Sequence, residues 1–207
     1  MALEVGGQTF YDYNINGRKG LQEIACIPNV LAHPDHFLKS RSVVQLMVGG
    51  SFISSGVLIN TTRSDGTPYV LTSAHCVNRL FDLVGNLDQV REEAMTTVVF
   101  FNFQSPTKKG NIRATEEQSL SGATLVAYNE DADMALLQIT GLPSSGKIPS
   151  EYQPYFAGWN VEERPRATFF GVHHPLGSTK RYSEVADEEL FIEDYNLSMY
   201  SWVHKHW

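Results

Sequence analysis

Cysteine is scarce in this chain. Only Cys26 and Cys76 occur in 207 residues, so a scaffold built on several disulfides is excluded and at most one intramolecular bridge is available. Long apolar runs are missing too: no stretch reaches the ~18 consecutive apolar residues of a membrane-spanning helix, and no membrane partner is expected. The opening Met1-Ala-Leu-Glu-Val-Gly-Gly-Gln has neither a basic n-region nor an apolar h-region, so it does not read as a signal peptide. The chain is then either cytoplasmic or begins inside a longer precursor. Basic clusters are also lacking. Lys and Arg total 16 against 23 Asp and Glu, for a formal net charge of -7. Nucleic acid is not expected as a partner, because phosphate neutralisation needs clustered cations. No internal repeat or low-complexity tract is visible.

What is present suits a folded domain. Hydrophobic residues make up 42% and charged residues 19%, which excludes a disordered polyelectrolyte. Residues 1–40 are polar and broken by Gly, Pro and Asn, and read as an extended arm. Short runs rich in aliphatic and β-branched residues follow at 43–48, 51–60 and 69–73, separated by turn clusters such as Gly49-Gly50 and the stretch 61–68. Further runs lie at 97–103, 123–127, 134–139 and 167–172. Residues 79–95 are compatible with a short helix that Gly85 weakens. Many short strands and almost no long helix point to an all-β barrel or sandwich. The Gly-, Pro- and Ser-rich stretch 140–153 reads as a linker between two β units.

Two places carry recognisable chemistry. The first is Ser55-Gly-Val-Leu-Ile-Asn, a turn containing Pro68, then Tyr69-Val-Leu-Thr-Ser-Ala-His75-Cys76. Gly56 permits close strand approach, and the small Ser73 and Ala74 leave room around the imidazole. The second is Asn129-Glu-Asp131-Ala-Asp133-Met-Ala-Leu-Leu137. A carboxylate there can accept a hydrogen bond from an imidazole nitrogen, fixing its tautomer and stabilising the imidazolium. Asp131 is the weaker choice, since no apolar strand follows it directly. His173-His174 does not suggest a metal site. Adjacent strand residues point to opposite faces, and no Cys or carboxylate cluster accompanies them. His204 and His206 lack a nearby third ligand. No cofactor is implied.

The His75 segment resembles the histidine motif of trypsin-like serine proteases, and Asp133 matches the family's Asp-x-Ala-Leu-Leu slot. Three further stretches narrow the resemblance to the lysyl endopeptidase group: Tyr155-Phe-Ala-Gly-Trp159-Asn, Val172-His173-His174-Pro175-Leu-Gly-Ser-Thr-Lys-Arg181, and Phe100-Phe-Asn-Phe103 with Ser119–Leu125. The resemblance implies a chymotrypsin-like double β-barrel. A near-complete first barrel at 41–145 would carry catalytic His75 and Asp133, and 146–207 would form part of the second. It also implies a protein or peptide substrate, cleavage after lysine, and a secreted or periplasmic location. Trp159 would be either a core aromatic or a ring at the edge of the cleft.

The chain departs from the family pattern in two respects. No segment matches the Gly-x-Ser-Gly-x-Pro turn that supplies the nucleophile and oxyanion donors; Ser183, Ser198 and Ser201 stand in other surroundings. Residues 202–207 resemble the strand before that turn, which implies a chain truncated before the nucleophile and inactive alone. The cysteine that family members place before the Ser-Gly-Val-Leu-Ile strand is replaced at Ser55. The resemblance therefore implies a buried free thiol at Cys76, with Cys26 corresponding to an N-terminal cysteine of other pairing. Cleavage after Lys19 would make 1–19 the tail of a propeptide. Two other readings stand beside the protease: a non-catalytic interaction module that keeps the fold, and an intracellular β-barrel protein of unrelated function.

Overall fold

The computed structural model describes residues 27–78, 86–107, 116–160 and 170–184, together with the backbones of Phe169, Val185 and four short strands outside those ranges. Thirteen strands occur in chain order among the described residues: β1 (Glu4–Val5), β2 (Gln8–Thr9), β3 (Val43–Val48), β4 (Phe52–Ile59), β5 (Tyr69–Thr72), β6 (Val98–Phe100), β7 (Ser119–Ser121), β8 (Ala123–Asn129), β9 (Met134–Ile139), β10 (Phe169–His173), β11 (Arg181–Val185), β12 (Phe191–Tyr195) and β13 (Met199–Val203). The helices are short: α1 (Phe37–Ser40), α2 (Ala74–Val77) and α3 (Leu87–Met95). The all-β expectation holds.

Seven strands form one antiparallel sheet in the order β7-β6-β3-β4-β5-β9-β8. Its two edges are one continuous stretch of chain. Residues 119–121 pair with β6, residues 123–129 pair with β9, and Gly122 makes the bend between them. Gly122 has φ +98°, a conformation L side chains rarely adopt, and it donates to Thr97 O and accepts from Thr140 N. The sheet thereby curls into a half-barrel whose two edges are joined by one bent stretch of chain. The mostly-β, barrel-like character expected from the sequence is present.

Alternation fills its interior. Val44, Leu46 and Val48 of β3 join Leu58, Val70, Val99, Leu137 and Ile139 in one buried cluster. Gly56 sits where β4 passes that cluster. A Cβ there would lie 2.6 Å from Val70 Cγ1 and 2.9 Å from Leu46 Cδ1, so the close approach read from the sequence is real. The other face of β3 is covered as well. Gln45 Nε2 donates to Gly177 O at 2.9 Å, and Lys180 N donates to Phe103 O, which docks the 174–181 segment on the barrel. That segment joins β10 to β11, a two-stranded sheet; β12 and β13 pair in another.

Several local expectations are corrected. Residues 30–40 are not extended. They form 3₁₀ turns at Val30–Ala32 and Pro34–His36 and then α1. Asn29 caps the first turn by accepting from Leu31 N, and Pro34 starts the second. The helix read at 79–95 is α3, starting only at Leu87 behind the Asn86 cap; 79–85 lie outside the described residues. The strand read at 97–103 stops at Phe100, before Asn102 at φ +50°. The stretch 140–153 packs on the barrel: Ile148 is buried in its apolar cluster and Tyr152 lies against it. Beyond it, Ala157 exchanges hydrogen bonds with Leu58 and Asn60.

Candidate active site

The position of His75 follows from how β5 ends. Thr72 Oγ1 donates to Ser55 O, fastening the end of β5 to β4. Ser73 is extended, and the four residues Ala74–Val77 then turn into α2. Ala74 at the start of α2 is fully buried. Asp133 comes from the tip of the β8–β9 hairpin, where β9 pairs with β5 and brings the tip alongside α2. The tip is tied by Ala132 N donating to Asn129 Oδ1 and Asp133 N donating to Glu130 O. Asp133 has φ +47°, a left-handed conformation that aspartate tolerates better than most residues.

The carboxylate grips His75 at two points. His75 N donates to Asp133 Oδ1 at 3.0 Å, and Nδ1 donates to Oδ2 at 2.8 Å. A carboxylate only accepts, so the proton sits on Nδ1 and Nε2 is the nitrogen able to take up a proton. The side chains are 35% and 23% exposed, so the pair lies at the surface of the barrel rather than inside it. An imidazole held by a carboxylate in this way has the geometry that general-base chemistry requires. Asp131 is exposed on the same tip.

The neighbouring thiol corrects one reading. Cys76 is buried and free, as expected, and burial pushes its pKa up. The hydroxyls beside it are those of Ser54 and Thr72, which partly oppose that shift. Ser54, not Ser55, therefore occupies the place of a disulfide partner. One residue along a strand reverses the face, and Ser55 Oγ instead accepts from His174 N at 2.9 Å. Cys26 lies outside the described residues, as do Lys19, Gly20, Ser198, His204 and His206.

His173 ends β10, and His174 begins the turn after it. Burial lowers the pKa of both, that of His174 to about 3, helped by the Lys180 charge. His174 Nδ1 donates to Ser178 O at 2.9 Å, which makes it a neutral structural imidazole. Among the described residues no three His, Cys, Asp or Glu side chains are grouped to hold a metal ion. Trp159 is 61% exposed, which excludes the core reading. Its anchor, Ala157, bridges Ile59, which pairs with Tyr69 at the opposite end of β5 from His75. Ser183 lies in β11, and Ser201 in β13.

Three polar residues next to α2 and the hairpin tip went unread in the sequence: Asn78, Tyr128 and Glu130, which bond to one another. No motif marks them, because Asn78 and Tyr128 are 50 residues apart.

Known proteins share this arrangement of sequence. The family described as lysyl endopeptidase, C-terminal domain, matches residues 22–207. A curated lysyl endopeptidase of Pseudomonas aeruginosa is 26% identical over 141 residues, covering 66% of this chain. The chain spans 26% of that relative's length. Solved structures resemble it more loosely. The inactive form of the Rv3671c protease, a protein of M. tuberculosis, gives a TM-score of 0.48 at 16% identity, covering 84% of this chain and 68% of the other. Deg5 gives 0.43 at 19% identity, covering 72% and 58%. The assignment rests on the family match, which takes in both His75 and Asp133: the chain belongs to the lysyl endopeptidase C-terminal domain family and is a relative of the trypsin-like serine proteases.

Proposed function

We propose that this chain carries the acid–base part of a serine endopeptidase of the lysyl endopeptidase kind. His75 is the general base for a serine hydroxyl and then the general acid for the leaving amine; Asp133 orients it. The observation that carries this reading is the two-point grip of the Asp133 carboxylate on His75 N and Nδ1. The pair also favours a catalytic origin over a purely interacting module, which would not need an oriented imidazole. Protein substrates, cleavage after lysine and a secreted or periplasmic setting are supported by the resemblance and by the name of the curated relative.

The 207 residues contain no Gly-x-Ser-Gly segment, so the base has no hydroxyl of this chain to activate. The isolated chain therefore has no peptidase activity. Two measurements test the proposal. Hydrolysis of a lysyl ester by the purified chain, abolished by a serine-directed inhibitor, would refute the inactivity. In proton NMR, a low-field His75 Nδ1–H resonance is expected and is lost in Asp133→Ala. A wild-type protein without that resonance would remove the assigned roles of His75 and Asp133.

A further inference from the structure

Asp133 closes a four-residue hairpin tip, 130–133, in a left-handed backbone conformation. Such a residue holds its geometry only when its surroundings over-determine it. Its own bonds to His75 are part of that restraint. A second part lies behind them.

Asn78 follows α2 directly and is fully buried; its backbone N–H donates to Ala74 O, so its position is rigidly linked to that of His75. Its side-chain Nδ2 donates to Tyr128 Oη at 2.7 Å and to Glu130 Oε1 at 3.1 Å. Tyr128 Oη donates in turn to Glu130 Oε1 at 2.9 Å. Tyr128 is on β8 just before the tip, and Glu130 is the first residue of the tip itself. The Glu130 carbonyl then receives the Asp133 N–H at 3.0 Å. An unbroken chain of bonds runs from the helix that bears the imidazole, through Asn78 and Glu130, to the backbone of the residue that bears the carboxylate. The carboxylate of Glu130 receives two donors at one oxygen, which makes these charge-assisted bonds stronger than neutral ones.

We infer that Asn78, Tyr128 and Glu130 are positioning residues that clamp the Asp133 tip against α2 and so hold the carboxylate on His75. The inference rests on the proposed roles of His75 and Asp133. The Tyr128 ring packs against the barrel's apolar cluster, whereas Glu130 on the tip is not part of that core. Loss of the Glu130 carboxylate should therefore loosen the tip without unfolding the barrel.

The test follows the His75 Nδ1–H resonance and its exchange with water in the full chain, beside urea unfolding of each variant. In Glu130→Ala, which removes both acceptor bonds, the resonance is expected to broaden away or exchange about tenfold or more faster, since losing a bond to a charged group shifts a local opening equilibrium by at least that factor. The conservative Glu130→Gln keeps an oxygen acceptor in place without the charge and is expected to fall between wild type and Glu130→Ala. Tyr128→Phe, which breaks both bonds of the hydroxyl but leaves the ring and the Asn78–Glu130 bond in place, should fall between wild type and Glu130→Ala. A wild-type resonance in Glu130→Ala with unchanged exchange would overturn the clamp while leaving the roles of His75 and Asp133 standing. Loss in Glu130→Gln equal to that in Glu130→Ala would assign the effect to charge and overturn the clamp equally. A wild-type protein lacking the resonance sinks the pairing itself.

Discussion

Replacing Lys180 with methionine should stabilise this chain at mildly acidic pH and abolish most of its pH dependence above neutrality. Lys180 is fully buried, and its one described polar partner is Ser40 O, to which Nζ donates at 2.8 Å. Burial lowers its pKa from 10.5 to about 7, and the nearby Arg41 charge adds to the shift. A base with a lowered folded-state pKa binds more protons unfolded than folded between those two values, so stability rises with pH across that window. The full penalty, borne below about pH 7, is roughly 5 kcal/mol at about 1.4 kcal/mol per unit. Between about pH 6.5 and about pH 8.5 the wild-type chain should gain about 2 kcal/mol. His174 titrates lower, from 6.5 to about 3, and adds little in this range. Cys76, Tyr128 and Tyr182, whose pKa values burial raises, oppose the trend only at higher pH. Methionine keeps the apolar stem but leaves Ser40 O without its donor, at a cost of about 1–3 kcal/mol. The variant should thus be more stable than wild type near pH 6.5 by about 2 kcal/mol or more. Urea unfolding at several pH values measures this. A wild-type midpoint that stays flat or falls over the window, or a Lys180→Met profile parallel to wild type, would refute the reasoning.

Two further predictions concern the walls of the site. Ser54→Cys should oxidise to a disulfide with Cys76 and stabilise the chain by about 2–4 kcal/mol, whereas Ser55→Cys should leave both thiols titratable, because residue 55 faces His174; thiol counting on the intact protein distinguishes the two, and a bridge in Ser55→Cys would contradict the assigned faces of β4. Gly56→Ala should lower stability by about 1–3 kcal/mol, since its methyl group would press on buried Val70 and Leu46; a urea midpoint equal to wild type would show that the barrel yields there at no cost.

The strands and the two residues of the candidate pair were legible in the sequence because both signals are local. Short aliphatic and β-branched runs bounded by turn clusters mark β3, β5 and β9, and His75 and Asp133 stand inside short contiguous motifs. The resemblance extended that to the family, which the match over 22–207 bears out. What lay beyond reach depended on which distant segments meet. Joining the two edges of the sheet at Gly122 requires β6 and β9 to be in register with one bent stretch of chain. The face of Ser54 against Ser55 is a matter of one residue of register, which periodicity alone does not settle. Lys180 reads as an ordinary surface cation, and only the docking of 174–181 on β3 buries it. The clamp of Asn78, Tyr128 and Glu130 joins α2 to a hairpin 50 and 52 residues further along the chain. Residue types and local period belong to the sequence. Burial and hydrogen-bond partnership belong to the packed structure, because they are properties of pairs that the chain brings together only on folding.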